Sequence, residues 1–351
     1  MSLFDVLGAP PMGARLERMR ASSNFSGGRA QNLVPTSMGP NANMVSAMGD
    51  YLAGGQTPKV ELPLERPVFG AAQALSVTWL GHSTMVMDVD GVRFLTDPVL
   101  SQRVAPTQWA GPARFHPAPV AADGLPEVDA VLISHDHYDH LDHGTILRLT
   151  ARGFRFITAL GVGAHLEAWG VPADRITELD WWESTRVGQV EVHLTPSRHF
   201  SGRGPTDRNR TLWGSFALRG PSHSAWFSGD TGPFDEVALI AQRLGPFDLT
   251  CIEIGAFHPA WGNIHLGPEQ AERMHRLLGG GVMMPVHWGT FSLAPHRWDA
   301  PIVELLEHAE RHGTRLMVPV AGQTVQPARP SVHPFWLERA ALAQPLVAAP
   351  A

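Results

Sequence analysis

The sequence predicts an α/β protein in which two mixed β-sheets pack face to face between outer helices, an αββα sandwich. Three observations predict it. Short apolar runs alternate with helical patterns between residues 71 and 325. The dipeptide Asp90-Gly91 joins Thr84–Val89 to Val92–Thr96, which is the signature of a tight antiparallel hairpin. Stretches rich in His and Asp fall just past the ends of several apolar runs, so functional groups gather at strand ends.

Taken in order, residues 1–70 are rich in Gly, Pro, Ser, Met and Asn with weak periodicity. They read as an extended arm with a few helical turns, wrapped over the core or over a partner subunit. Arg15, Glu17, Arg18 and Arg20 crowd one stretch of it, which disfavours a membrane-lying amphipathic helix. After the hairpin, Ala130-Val131-Leu132-Ile133 is a short buried strand. Val190–Thr195 alternates like a half-buried strand, and Ser224–Ser228 and Gly281–Val286 are further strands. Helices are expected at Leu141–Arg152, Val162–Trp169, Phe234–Leu244, Pro268–Leu278 and Pro301–His312. The fourth is bracketed by Gly267-Pro268 at its start and Gly279-Gly280-Gly281 at its end. Past Val320 the chain turns to Ala, Pro and Gln, a tail over 326–351 with one helix at Phe335–Ala343.

Composition narrows the function classes. With 351 residues, 44% of them hydrophobic, the chain can bury a large core. A net charge of −6 and a pI near 6.3 leave no footprint for sequence-independent nucleic-acid binding. The single cysteine, Cys251, lies in the apolar run Leu249–Ile254, which excludes an internal disulfide and implies a buried thiol. The N-terminus lacks the basic segment and long apolar core of a signal peptide, and no run reaches membrane-spanning length. A cytoplasmic protein is expected, free to touch a membrane surface peripherally.

The chemistry is concentrated in Ser134-His135-Asp136-His137-Tyr138-Asp139-His140, directly after the strand Ala130–Ile133. In extended backbone alternate side chains share a face, so His135, His137 and Asp139 converge while His140 turns toward a second point. Imidazoles and a carboxylate without thiolate suit Zn, Mn or Fe. Three later strand ends repeat the pattern with His199, Asp230 in Gly229-Asp230-Thr231-Gly232, and His287 in His287-Trp288-Gly289-Thr290.

This order of motifs, opened by Asp97 in Thr96-Asp97-Pro98, resembles the metallo-β-lactamase superfamily. Val77-Thr78-Trp79-Leu80-Gly81-His82, Glu178-Leu179-Asp180-Trp181-Trp182 and Val286-His287-Trp288-Gly289-Thr290-Phe291 are similar to its N-acyl-phosphatidylethanolamine phospholipase D branch, with bacterial members included. The resemblance implies the αββα fold of that superfamily and two divalent ions, Zn2+ first and Mn2+ or Fe2+ as alternatives. It implies that His135, His137 and His199 hold one ion, Asp139, His140 and His287 the other, with Asp230 bridging. Asp139 and His265 are the candidate catalytic residues, His265 as a proton or hydrogen-bond donor. Asp97 and His82 are expected behind the ligands, Asp97 fixing the tautomer of a ligand imidazole and His82 lining the floor of the site.

Arg203 is expected to meet substrate, as the one of four arginines between residues 198 and 210 free to bind a phosphate. Trp261 is expected to line a substrate groove. The expected activity is a dinuclear zinc-dependent phosphoric diester hydrolase of phospholipase D type, working through a metal-bridging hydroxide. A lactonase or carboxylic ester hydrolase of the same fold is the alternative, ahead of a nuclease or a non-catalytic metal-binding protein. The expected partners are a small-molecule or phospholipid substrate and no nucleic acid, with a homo-oligomer through the arm as a further expectation.

Overall fold

A computed structural model of the chain describes residues 3–36 and 44–337. Two mixed sheets form its centre. The first has seven strands in the order Thr324–Val325, Leu75–Trp79, Met85–Val89, Val92–Thr96, Ala130–Ile133, Phe156–Ala159 and Ile176–Leu179. The second has six, in the order Gly280–Val286, Phe247–Glu253, Ser224–Phe227, Ser215–Arg219, Val190–Thr195 and Ser184–Val187. Each sheet is antiparallel on one side and parallel on the other, because hairpins supply the first kind of neighbour and helical crossovers the second. Side chains of both sheets merge into one buried hydrophobic cluster.

The local chemistry explains the elements. Met85–Val89 pairs with Val92–Thr96 across Asp90-Gly91, and Asp90 and Gly91 both take left-handed backbone, as a two-residue hairpin turn requires. Every residue of Ala130–Ile133 is buried, as expected of a parallel strand covered on both faces. The next helix, His143–Ala151, is capped by Asp142, whose side chain accepts from Gly144 N at 3.2 Å. Helices Gly163–Ala168, Val237–Leu244, Gly267–Leu277 and Ala300–His312 lie within a few residues of the expected spans, and the last ends at left-handed Gly313.

The described part of the N-terminal arm wraps over its own chain. It carries helices Leu3–Leu7 and Gly13–Ala21, and Arg15 bonds Glu178 at 2.7 Å and Glu167 at 2.6 Å. Asn32 grips the backbone of His199 from both sides, donating to its carbonyl at 2.7 Å and accepting from its N–H at 3.0 Å. The start of the tail also departs from a simple extension: Phe335 and Trp336 are buried against Trp288. The helix expected at Phe335–Ala343 lies mostly outside the described residues, as does the end of the chain. Among the described residues no helix is long and apolar enough to cross a membrane.

Candidate metal centre

The site lies where both sheets present the carboxyl ends of their parallel strands, the usual place for ligands in α/β architecture. Val92–Thr96 leads into Asp97, Ala130–Ile133 into the His-rich turn, Ser224–Phe227 into Asp230 and Gly280–Val286 into His287. The antiparallel strand Val190–Thr195 delivers His199 from the same edge. All seven expected ligand residues come together, and His82 joins them.

Two groups of four form from the expected ligands and His82, and a third joins Asp230 and His287 to Glu253 and His265. In the first, His135, His137, His199 and Asp230 each place one donor atom within 4.8 Å of the others. His137 Nδ1 lies 2.9 Å from His135 Nε2 and 3.3 Å from His199 Nε2. In the second, His82, Asp139, His140 and His287 do the same. Asp139 Oδ2 is 3.0 Å from His82 Nε2, 3.2 Å from His287 Nε2 and 3.5 Å from His140 Nε2. Asp230 spans both: Oδ2 faces His199 at 3.5 Å, and Oδ1 faces His140 at 3.0 Å and His287 at 3.1 Å. His82 therefore stands among the ligating atoms instead of behind them.

The residues fit divalent cations on their own chemistry. The donors are all imidazole nitrogens and carboxylate oxygens, the set that suits Zn, Mn or Fe. His140 Nε2 and Asp230 Oδ1 are buried, 3.0 Å apart, and neither makes a hydrogen bond. Buried polar atoms without partners are costly, and a cation between them removes that cost.

Behind the donors the two groups differ. Asp97, wholly buried, accepts from His140 Nδ1 at 2.7 Å, and also from Ser134 N at 2.7 Å and Ser134 Oγ at 2.6 Å. Ser134 Oγ in turn lies 2.9 Å from His135 Nδ1, so one carboxylate steadies an imidazole of each group. His199 Nδ1 donates to the Ile264 carbonyl at 2.8 Å. Backbone strain is concentrated here: His82, Asp97 and His287 adopt φ of 54°, 33° and 63°.

Charge separates the groups further. Burial, helped by the neighbouring His140 and His137, pushes His135 well below the ordinary imidazole range, and burial does the same to His199. Burial acts against protonation of His140 and His287 too, but the charges of Asp230 and Asp139 overcome it. They hold His140 well above its ordinary value and His287 up to about 10. Burial and the nearby His287 bring His82 down to about 3.

Above the donors is a cavity of about 260 Å³, lined in part by His137, Phe200, Asp230, Trp261, His265 and Leu293. His265 and Trp261 thus lie on its wall, as expected. Trp261 and Leu293 also line an adjoining apolar groove of about 390 Å³, closed on its far side by Ala47, Met48 and Tyr51 of helix Met44–Ala53.

Arg203 is a correction to the sequence reading. Its buried guanidinium donates to the carbonyls of Asp136 at 2.7 Å and Leu141 at 2.8 Å, and with Nη2 to that of Val6 at 2.9 Å. Tyr138 and Trp169 cover its faces. It ties the His-rich turn to the first helix, with four of its five N–H groups on backbone carbonyls and the side chain buried. The sequence reading missed Ser134 and Glu253. Glu253 ends its strand as the ligand-bearing segments end theirs, and that position was the available signal; the apolar run around Cys251 concealed it. Cys251 itself is fully buried.

Comparison with known proteins agrees with this geometry. Residues 92–288 match the family model described as Beta-lactamase superfamily domain. A protein of Mycobacterium tuberculosis described only as uncharacterized is 46% identical over 340 residues, covering 93% of this chain and 91% of that one. The N-acyl-phosphatidylethanolamine-hydrolyzing phospholipase D 1 of Caenorhabditis elegans is 37% identical over 237 residues, 64% of this chain and 67% of that protein. Among solved structures, an isothiocyanate hydrolase from Delia radicum gut bacteria superposes with a TM-score of 0.58 at 21% identity, over 71% of this chain and 98% of that one, a likeness of fold.

Proposed function

Since this chain belongs to the beta-lactamase superfamily and has the fold of its metal-dependent hydrolases, we propose that it is a dinuclear phosphodiesterase of phospholipase D type. The observation that carries this is the pairing of two four-residue groups through Asp230 beneath one cavity, with His265 on the wall. His135, His137 and His199 would hold one ion, and Asp139, His140, His287 and the nearby His82 the other. Two divalent ions, zinc in the first instance, would supply an activated water and a net positive field over Asp139 and Asp230, which suits an anionic diester.

The chain's own residues do the remaining work. His265, on the cavity wall with Nδ1 on Glu253, would hand a proton from Nε2 to the leaving oxygen. In balance, the water oxygen bonds to phosphorus, the phosphorus–oxygen bond to the alcohol breaks, and the alcohol leaves with the His265 proton. A proton of the attacking water restores His265. Trp261 and Leu293 carry the cavity into the apolar groove, where an acyl chain of a phospholipid would lie out of water. Met48 and Tyr51, 58% and 61% exposed along that groove, support the reading by offering apolar surface to such chains.

The test is to profile zinc-loaded protein against phosphodiesters of increasing chain length, phosphomonoesters, lactones and thioesters. Diester turnover that strengthens with chain length is expected. Robust lactone turnover with no detectable diesterase activity overturns the proposal in favour of a lactonase.

A further inference from the structure

The strand Phe247–Glu253 ends in a carboxylate that none of the roles above uses. Glu253 pairs in register with Val286, one residue before His287, and its side chain is fully buried. Its two oxygens collect donors from two separate loops. Oε1 accepts from Thr231 N at 2.9 Å and from Leu266 N at 3.3 Å; Oε2 accepts from His265 Nδ1 at 2.7 Å and lies 3.9 Å from His287 Nδ1. Thr231 follows Asp230, so the same carboxylate braces the turn of the shared ligand and the histidine of the cavity wall. Among the described residues His265 Nε2 makes no hydrogen bond, and the residue lines the cavity.

Three N–H groups therefore point at one side chain, and only an acceptor at both ends satisfies them. A carboxylate is such a group; an amide is not, because one of its ends must donate. We propose that Glu253 is a positioning residue that fixes His265 with its proton on Nδ1 and Nε2 aimed at the leaving group. This deepens the reading of His265 as the proton donor and rests on it. Once Nδ1–H is committed to Glu253, Nε2 is the only ring nitrogen that can carry a second proton into the cavity and take it back. Ring rotation, which would aim carbon at the substrate, is blocked as well.

Glu253→Gln separates this from mere packing, since the replacement keeps shape and volume. With its amide nitrogen toward the ring, Gln would donate to Nδ1 and move the neutral imidazole's proton to Nε2. With its amide nitrogen toward Thr231 and Leu266, it would face two donors. The first readout is spectroscopic and independent of turnover: long-range nitrogen–proton correlation of His265 in the zinc-loaded protein. The neutral wild-type ring is expected to be protonated at Nδ1, and the neutral ring in Glu253→Gln at Nε2.

The second readout is kinetic. Glu253→Gln should lower kcat by about 10- to 100-fold for a diester with a poor leaving group and much less for a nitrophenyl diester, with partial recovery in Glu253→Asp. A wild-type ring carrying its lone proton on Nε2 overturns the proposal without any variant having to fold. So does a Glu253→Gln loss equal for both leaving groups. If His265→Ala leaves both substrates untouched, the proton-donor reading itself falls. If His265→Ala has its effect and Glu253→Gln has none, only the role of Glu253 falls.

Discussion

The two halves of the metal centre are built from the same residue types, yet they are opposites in charge. His135 and His199 are backed by a serine hydroxyl and a backbone carbonyl, whereas His140 is backed by the Asp97 carboxylate and shares Asp139 with His82 and His287. Without metal, the first half holds neutral imidazoles ready to bind, and the second holds imidazolium against carboxylate. Residue type alone does not set the charge of a site; the carboxylates facing each imidazole do, and Asp230 and Asp139 hold His140 and His287 protonated against burial.

The sharpest way to break this comparison is at the residue both halves share. Asp230→Asn should cripple turnover and reduce the bound metal, with a loss well beyond the roughly 10- to 100-fold expected when an outer partner is removed. Elemental analysis beside kcat checks it; an almost silent Asp230→Asn would mean the two groups do not work as a pair.

Asp97→Asn should come next, costing about 10- to 100-fold in metal affinity or activity. Since Asp97 touches His140 directly and His135 only through Ser134, the second half should release its ion first as a chelator is titrated in. Simultaneous release of both ions would erase the distinction between direct and relayed support.

Acidity offers a third way in. At neutral pH the metal-free second half must give up protons from His140 and His287 before it can bind, and the first half need not. Loading the second ion should therefore release about two protons more than loading the first, read by calorimetry in buffers of different ionisation enthalpy. The sign for stability follows. His287 is raised from an ordinary value of 6.5 to about 10. Its contribution to the stability of the metal-free protein is full below pH 6.5 and is lost as pH rises through about 10. Chelated protein whose melting temperature rises steadily from pH 7 to pH 10 would contradict this.

The smallest effect belongs to the buried thiol. Cys251→Ser should leave kcat and metal content unchanged and lower the melting temperature slightly, because a hydroxyl replaces sulfur in an apolar setting. Lost activity in a folded Cys251→Ser protein would give that residue a role that nothing in its surroundings suggests.

The gathering of the seven candidate donors and the five helices between residues 141 and 312 were legible in the sequence because each is a local signal: a polar cluster after an apolar run, or a periodicity with a breaker at its end. What was not legible depends on distance along the chain. Arg203 looked free because its acceptors, Val6 and Leu141, are remote from it in sequence. Glu253 looked like part of an apolar strand because its donors arrive from the loops at Thr231 and His265. His82 becomes a neighbour of Asp139 only through a left-handed turn after Gly81, which no periodicity marks. The groove beside Trp261 needs a helix from the arm to close it.

That arm also has a consequence for the order in which the protein is made. Asn32 leaves the ribosome 167 residues before His199, the backbone it will grip. At roughly 5–20 residues per second it waits on the order of ten seconds for a partner. Arg15 and Val6 wait similarly for Glu178 and Arg203. This arm is made before the residues it docks on, so it can close over the His199 loop only after that loop has been made. A chain started at residue 71 would carry all seven candidate metal ligands and still lack the residue that holds His199 by both backbone groups.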